Sequence, residues 1–343
     1  MNDIKTVLVT GHKGYIGAVL VPKLLTAGYH VCGIDCGFYE GSYYLGQLAP
    51  VEEKIKDIRD LTEADLAGID AVVHLAGLSN DPLGNFRPDL TEEINYQATI
   101  YLAQLAKVAG VKRFLFASSC SIYGASDDTL LDEGAAFNPV TPYANSKARA
   151  EEMLTAMADK DFSPAFLRAS TVYGLSPQIR FDLVINNLKV QLKSDGQAWR
   201  PVVHVDDIAE AYIAVLEATT DRCHCEAYNV GSTDQNYRVV ELAEMVKNGF
   251  GGAVLAAASK PNHDKRCYRV NCDKIHRLLP HYQMKWSVQQ GISQLHEAFT
   301  EKAVSVEDFE GPRYSRISHI KELIDTGFLD LDLRWTERQQ ATA

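Results

Sequence analysis

A tyrosine and a lysine four positions apart, Tyr143 and Lys147, are the side chains in this sequence best suited to move a proton. Residues four apart share one face of a helix, so the ammonium would lie near the phenol. A free phenol has a pKa of about 10 and is a poor base at neutral pH, but a neighbouring positive charge lowers that pKa. Ser119 ends an earlier apolar run and offers a hydroxyl to hold a substrate oxygen. These three residues are the predicted catalytic groups, and they suit chemistry at a hydroxyl-bearing carbon.

A glycine-rich turn near the N-terminus predicts a dinucleotide site. The apolar run 4–10 leads into three glycines spaced three apart, and a helical pattern follows. A strand, a glycine turn and a helix together cradle a pyrophosphate, because glycine lets the backbone approach and the helix N-terminus favours an anion. The predicted cofactor ligands in this turn are Gly11, Gly14, Tyr15, Ile16 and Gly17.

Asp35, at the end of the next predicted strand, indicates which dinucleotide is bound. A carboxylate there accepts hydrogen bonds from ribose hydroxyls and repels a 2′-phosphate, which favours NAD over NADP. The alternative is that Asp35 is an acid of an ordinary loop. Further predicted cofactor ligands follow later strands or belong to the catalytic pair: Asp57, Ile58, Leu75, Ala76, Gly77, Tyr143 and Lys147.

Strands and helices alternate through the first half of the chain. The predicted strands span 4–10, 29–34, 71–76, 113–117 and 165–169, and the predicted helices span 17–27, 91–109 and 142–158. Pro142 after Thr141 is typical of a helix start. Alternation of this kind predicts an α/β fold with a Rossmann-type, doubly wound parallel sheet.

After residue 174 the alternation stops, which predicts a second, smaller unit. The segment to 196 reads as one amphipathic helix with loops, and strands are predicted at 202–205 and 228–230. We therefore expect an NAD-binding domain over 1–174 with returning segments near 197–231. Residues 175–196 and 232–343 would form a mixed C-terminal lobe that binds the substrate.

Composition excludes several classes of partner. The 343 residues carry a formal net charge of −11, and nucleic-acid binding normally needs a basic face. No run of apolar residues is long enough to span a membrane, and the first residues lack a signal pattern. The seven cysteines follow no disulfide framework, which predicts reduced thiols and a cytoplasmic location. Cys223, His224 and Cys225 match no common zinc spacing and are interpreted as a surface loop, so no metal is expected.

With these motifs in view, the sequence resembles the extended short-chain dehydrogenases/reductases, in particular the NAD-dependent nucleotide-sugar epimerase/dehydratase group. The motifs that carry the resemblance lie at 10–17, 57–60, 74–77, 118–119, 143–147, 172–174 and 200–207. The resemblance implies Ser119, Tyr143 and Lys147 as the catalytic trio, with NAD often retained between turnovers. It also implies a homodimer paired through the helices near 91–109 and 142–158.

The same resemblance indicates where a nucleotide-diphosphate sugar would bind. The predicted substrate-binding residues are Ser79, Asn80, Ser121, Arg180, Asn186, Arg200 and Arg266. Arg200 and Arg266 match arginines that contact the diphosphate, an anion suited to a guanidinium, and the alternative is that each is a surface arginine. His204 is expected to pack in a strand, with Asp206 as the N-cap of a helix over 208–218.

Departures from the family pattern narrow the activity. The related 4,6-dehydratases have an Asp-Glu pair directly after the catalytic serine or threonine, where this chain has Cys120 and Ser121. Without those acids 4,6-dehydration is disfavoured. The predicted activity is therefore a nucleotide-sugar 4-epimerase working through a transient 4-keto sugar. The alternatives are a 4-dehydrogenase, a keto-sugar reductase or, more remotely, a non-catalytic NAD-binding regulator. Thr171 replaces a common family asparagine, and this leaves the sugar open.

Overall fold

The structure, a computed structural model, describes residues 4–79, 81–183, 185–186, 191–192, 195–250, 256–257, 266–305, 307–308 and 311–337. The strands are β1 Thr6–Thr10, β2 His30–Asp35, β3 Glu52–Ile55, β4 Ala71–His74, β5 Arg113–Ser119, β6 Ala125–Leu131, β7 Ser163–Ala169, β8 Thr171–Tyr173, β9 Gln191–Leu192, β10 Trp199–His204, β11 Glu226–Val230, β12 Asn236–Arg238, β13 Ala256–Ala257 and β14 Cys267–Val270. The helices are α1 Gly17–Thr26, α2 Asp81–Phe86, α3 Pro88–Glu92, α4 Ala98–Val108, α5 Pro142–Met157, α6 Val205–Glu217, α7 Val239–Gly249, α8 Asp273–Leu278, α9 Val288–Glu301 and α10 Arg316–Asp325.

A seven-stranded sheet of order β11-β7-β5-β4-β1-β2-β3 forms the centre of the molecule. Every neighbouring pair in it is parallel. Successive side chains of a strand point to opposite faces, so a sheet covered on both sides buries both sets. In β1, Val7 and Val9 join a core with α1 and α6, whereas Leu8 joins a second core with α4 and α5. The predicted doubly wound parallel sheet is thus confirmed.

The predicted helix over 91–109 was wrong in where it starts and in being continuous. Helix α3 begins at Pro88, and a π-helical turn, Glu93–Gln97, separates it from α4. In that turn the Asn95 side chain accepts a hydrogen bond from the backbone N–H of Leu78 (2.7 Å) and donates to its carbonyl (3.0 Å). A π turn adds one residue to a helical turn. Here it directs the side-chain amide of Asn95 at the loop that contains Leu78, which lines the cavity of the candidate site.

Helix α5 begins where the sequence indicated. The side chain of Thr141 accepts a hydrogen bond from the backbone N–H of Ala144 at 3.2 Å, which makes it the N-cap. The other N-cap prediction was wrong. Helix α6 begins at Val205, and His204, not Asp206, caps it by accepting the backbone N–H of Asp206 on Nδ1 (3.2 Å). A strand residue can do this because β10 runs directly into α6.

The predicted amphipathic helix between 175 and 196 is wrong in the part of that segment that the structure describes. That part contains turns and strand β9. Asn186 explains the local geometry, because its buried amide accepts from the backbone N–H of Gly174 (2.9 Å) and donates to the carbonyl of Arg180 (3.1 Å). These bonds from the Asn186 side chain to backbone groups six and twelve residues away stabilise a loop in place of a helix.

The remaining strands form smaller sheets outside the central one. Three smaller sheets have the orders β12-β10-β8, β13-β9 and β14-β6. The C-terminal residues 311–337 include α10, whose Ile320 is buried in the same core cluster as Leu8. No described helix has the length and apolar character needed to cross a membrane. The division into an NAD-binding domain and a substrate-binding lobe stays a prediction.

Candidate active site

A cavity lies where β1, β2, β4 and β5 end, and it brings most of the predicted site residues together. Those that line it are Gly11, Gly14, Tyr15, Ile16, Gly17, Asp35, Asp57, Ile58, Leu75, Ala76, Gly77, Ser79, Ser119, Ser121, Tyr143, Lys147, Arg180 and Arg266. Asn186 and Arg200 are described but do not line it, and Asn80 lies outside the described residues. Ligands bind at this edge in open α/β sheets because the loops there diverge from the strands.

The glycine turn has the close backbone contacts that only glycine permits. Gly11 has a φ of +73°, and a Cβ there would lie 2.8 Å from the backbone nitrogen of Ala76. A Cβ on Gly17 would collide with the carbonyl oxygen of Gly11. Backbone can therefore approach an anion here, at the N-terminus of α1. These residues could hold the pyrophosphate of a dinucleotide.

The two predicted acids of the cofactor site are held in different ways. The carboxylate of Asp35 accepts the backbone N–H groups of Gly37 (2.9 Å) and Lys13 (3.1 Å), which fixes its position at the cavity wall. Asp57 is bound by Arg59, with Nη2 at 2.7 Å, and by Arg334 at 3.4 Å. A carboxylate oxygen accepts more than one hydrogen bond, so Asp35 retains capacity for ribose hydroxyls. The carboxylate of Asp57 is committed to ion pairs.

The catalytic candidates meet between β5 and α5. Ser119 ends β5, and its hydroxyl accepts the backbone N–H of Ser121 at 3.1 Å. Lys147 is buried, with Nζ 4.6 Å from the ring centre of Phe116 and 5.8 Å from that of Tyr143. Burial lowers the pKa of Lys147 to about 8, although the negative charge of Glu151 acts in the opposite direction. The ammonium therefore lies close enough to stabilise a Tyr143 phenolate.

A buried polar network supports this lysine from behind. His74 bonds through Nδ1 to the hydroxyl of Thr10 (2.7 Å) and through Nε2 to that of Thr99 (2.8 Å). Burial, together with the charge of Lys147, lowers the pKa of His74 to about 3, so the imidazole is neutral at physiological pH. A neutral ring can lie close to the ammonium without repelling it.

Glu151, one helical turn beyond Lys147 on α5, is another of the buried polar residues around this lysine. It is buried, accepts the hydroxyl hydrogen bond of Ser118 and forms an ion pair with Arg168 at 2.7 Å. The sequence analysis missed this role. The four-residue spacing from Lys147 to Glu151 could have indicated it, because residues four apart share a helix face.

The three arginines predicted to bind the substrate occupy different environments. Arg180 lines the cavity but is paired with Asp182, with Nη2 at 2.8 Å and Nε at 3.0 Å. Arg266 and Tyr268 both line the cavity. Arg200 is buried behind it, and its Nη1 donates to the carbonyl of Arg266 at 2.6 Å. Arg200 thus acts on the backbone of Arg266.

Neither of the two residues after Ser119 is an acid, and only the second of them lines the cavity. Cys120 is fully buried outside the cavity lining, and its thiol donates to the carbonyl of Arg168 at 3.1 Å. Ser121 lines the cavity, and its buried hydroxyl has no hydrogen-bond partner in the described part of the chain. Neither group can transfer a proton near neutral pH as a carboxyl can.

The structure also adds a cavity residue that the sequence analysis did not identify. Arg316, the first residue of α10, is buried and lines the cavity beside Tyr39. No local motif surrounds it, so its position depends on how the C-terminal residues fold back onto the sheet.

Cys223, His224 and Cys225 lie at the turn before β11. Among the described residues, ligand atoms converge within 4.8 Å only at His30, Cys32 and Glu52.

Comparison with known proteins places this site in context. A model of the NAD dependent epimerase/dehydratase family matches residues 7–231. The UDP-glucose 4-epimerase of Pongo abelii is 28% identical, in an alignment covering 85% of this chain and 94% of the relative. The dTDP-D-glucose 4,6-dehydratase of Mus musculus is 29% identical, with 80% and 83% covered. The solved structure of MoeE5 in complex with UDP-glucuronic acid and NAD is 28% identical, with a TM-score of 0.75 over 87% of this chain and 100% of that chain.

Proposed function

The chain belongs to the NAD-dependent epimerase/dehydratase family, and on that premise we propose that it is an NAD-dependent nucleotide-sugar 4-epimerase. One observation carries the choice within the family. Ser119, Tyr143 and Lys147 share a cavity with the glycine turn, while positions 120 and 121 supply no acid. The similarity to a UDP-glucose 4-epimerase supports the same choice.

NAD would be held by the glycine turn and by Asp35, and when bound it supplies the acceptor and later the donor of the C4 hydride. Tyr143, as the phenolate, takes the proton of the sugar 4-hydroxyl and returns it when the hydroxyl is formed again. Lys147 stabilises that phenolate by its charge. The hydroxyl of Ser119 holds the 4-oxygen, which is a hydroxyl in substrate and product and a carbonyl in the 4-keto sugar.

The acids that dehydration requires distinguish this reaction from the 4,6-dehydratases. Loss of the 6-oxygen needs a base for the C5 proton and an acid for the leaving oxygen. Cys120 is buried away from the cavity and Ser121 is a neutral hydroxyl, so neither is suited to those steps. A 4-dehydrogenase or a keto-sugar reductase would use the same trio and differs only in whether the keto sugar leaves.

Product analysis by NMR over UDP-, dTDP-, GDP- and CDP-sugars tests the proposal. We expect a C4 epimer to form with no net reduction of NAD. Formation of a free 4-keto sugar, with reduced NAD accumulating, would support the dehydrogenase instead. Free sugars are the matched substrates without a diphosphate. If they react as well as the nucleotide sugars, the nucleotide-sugar assignment is wrong.

We also propose that two copies of the chain pair through α4 and α5. The support is the family resemblance, together with apolar side chains left exposed on these helices at Tyr101, Val108 and Met153. A second copy would cover them. Light scattering of the purified protein tests this pairing.

The seven free cysteines support a reducing, cytoplasmic location. Fractionation of the cells that make the protein would test this location.

A further inference from the structure

A buried arginine at the cavity wall lacks the partner that such a charge requires. The side chain of Arg316 is 5% exposed, and its guanidinium carbon lies 3.7 Å from the ring centre of Tyr39. In the part of the chain that the structure describes, Nη1 has no hydrogen-bond partner, and the carboxylates of Asp182 and Asp35 act on its charge without forming an ion pair with it. An isolated buried charge costs several kcal/mol, roughly, unless a counter-charge compensates it. An anion bound in the cavity would supply that counter-charge.

Two other cations that line this cavity, Arg180 and Lys13, are already paired. Arg180 is bound by Asp182, and Lys13 by Glu40 at 2.8 Å and Glu53 at 3.0 Å. Burial lowers the pKa of Arg316, and the charges of Asp182 and Asp35 only partly oppose this, but a guanidinium stays protonated in a protein. Of these three cations, Arg316 is therefore the one whose charge is left for a ligand.

The position of Arg316 in the fold indicates which anion it binds. The C-terminal clasp, which we define as residues 311–337, is fixed to the loops that follow β2 and β3. His319 bonds through Nε2 to the carbonyl of Phe38 (2.8 Å), and Trp335 donates to the carbonyl of Cys36 (2.7 Å). Arg334 reaches Asp57 at 3.4 Å. These loops carry Asp35 and Asp57, the end of the cavity assigned to the adenosine half of the cofactor.

We propose that the C-terminal clasp closes over the adenosine half of the dinucleotide and that Arg316 binds its diphosphate. The proposal rests on the proposed NAD-dependent function. A planar guanidinium suits a diphosphate because it can donate two parallel hydrogen bonds. The diphosphate of the nucleotide sugar has the same chemistry. The cofactor is the better match, because the polar contacts of His319, Trp335 and Arg334 reach Phe38, Cys36 and Asp57, next to the residues assigned to the adenosine half.

Calorimetry on protein freed of cofactor tests this, using Arg316→Gln and, as the matched control, Arg313→Gln. Arg313 is exposed, belongs to the same clasp and does not line the cavity. We expect the dissociation constants of NAD and ADP-ribose to rise by about 10- to 100-fold in Arg316→Gln, on the scale of a lost hydrogen bond between charged groups. Binding of adenosine and of UDP should not change. Arg313→Gln should bind every ligand as the wild type does.

Thermal unfolding without ligand separates binding from folding. Removing an uncompensated buried charge should leave the melting temperature of Arg316→Gln unchanged or higher, whereas a structural role would lower it. Arg316→Lys keeps the charge without the planar fork, and we expect its affinity for ADP-ribose to lie between those of the wild type and Arg316→Gln. It also serves as the test variant if Arg316→Gln does not fold.

The outcomes are distinguishable. If the wild type binds no NAD, the proposed function fails and this inference with it. If the wild type binds NAD and Arg316→Gln binds ADP-ribose equally well, only the inference is overturned. An equal loss for adenosine and ADP-ribose would overturn the diphosphate contact. A loss confined to UDP would assign Arg316 to the nucleotide sugar and likewise overturn the proposal.

Discussion

Replacing Lys147 with methionine tests the charge that the site places beside the phenol of Tyr143. Methionine keeps the unbranched apolar stem that packs near Phe116 and removes the ammonium. Nζ lies 5.8 Å from the centre of the Tyr143 ring. At that separation Coulomb's law with an effective dielectric constant of about 20 gives an attraction of about 3 kcal/mol between ammonium and phenolate. That energy corresponds to roughly two units in the pKa of the phenol.

The expected result is a loss that depends on pH. Near neutral pH the turnover of Lys147→Met should fall by about 100-fold, because the phenol of Tyr143 titrates about two units higher. In the wild type the charge of Lys147 is lost as the pH rises through about 8, the pKa to which burial lowers it. The wild-type advantage therefore disappears at alkaline pH, and the two activity profiles should converge.

The assay is a single turnover by stopped-flow absorbance of the reduced nicotinamide, started with a UDP-sugar on protein saturated with NAD. Saturation separates the chemical step from any weaker cofactor binding. Lys160→Met is the control, because Lys160 is exposed and lies just beyond the end of α5. A loss of the same factor at every pH would refute the electrostatic role and indicate that Lys147 only positions its neighbours.

Three further substitutions test the rest of the site. Tyr143→Phe should lower turnover by about 10²- to 10⁴-fold while NAD still binds, and a variant keeping more than about a tenth of the rate would contradict the acid–base role. Asp35→Ser should weaken NAD binding by about 10- to 100-fold and NADP binding much less; equal affinities of the wild type for both would exclude this discrimination. Arg266→Ala should raise the KM for the nucleotide sugar by at least about tenfold with NAD affinity unchanged. Unchanged KM would remove Arg266 from the diphosphate site.

The parts of the site that the sequence predicted are those encoded by local pattern. The spacing of Tyr143 and Lys147, the glycines at 11, 14 and 17 and the serine at the end of β5 each depend on one helix, one turn or one strand. Periodicity likewise identified six of the seven strands of the central sheet, because a strand buried on both faces is a short, continuous apolar run. It missed the edge strand β3, whose residues are exposed and mostly charged.

The parts that were missed depend on contacts between distant segments. The π turn before α4 forms where Asn95 bonds to the backbone of Leu78, and no helical periodicity reports such a bond. The Nη1 of Arg200 donates to the carbonyl of Arg266, a pairing that the sequence did not indicate and that depends on the position of β10 beside β14, while the ligand role of Arg200 stays a prediction. Arg316 reaches the cavity only because α10 packs on the sheet's core. Sequence identifies these side chains, and the tertiary structure determines their partners.

The proposed epimerase mechanism requires that the ligands be held firmly at their diphosphates while the sugar ring stays free to turn. Arg266 and Arg316, which both line the cavity, come from segments outside the central sheet. The acid–base pair, in contrast, lies on α5 and is supported from beneath by His74 and Glu151. Binding and chemistry are thus carried by different elements. A substitution at Arg266 or Arg316 should therefore act on affinity, whereas one at Lys147 should act on the rate of the chemical step. If Arg316→Gln slowed that step with the cofactor saturating, this separation would be wrong.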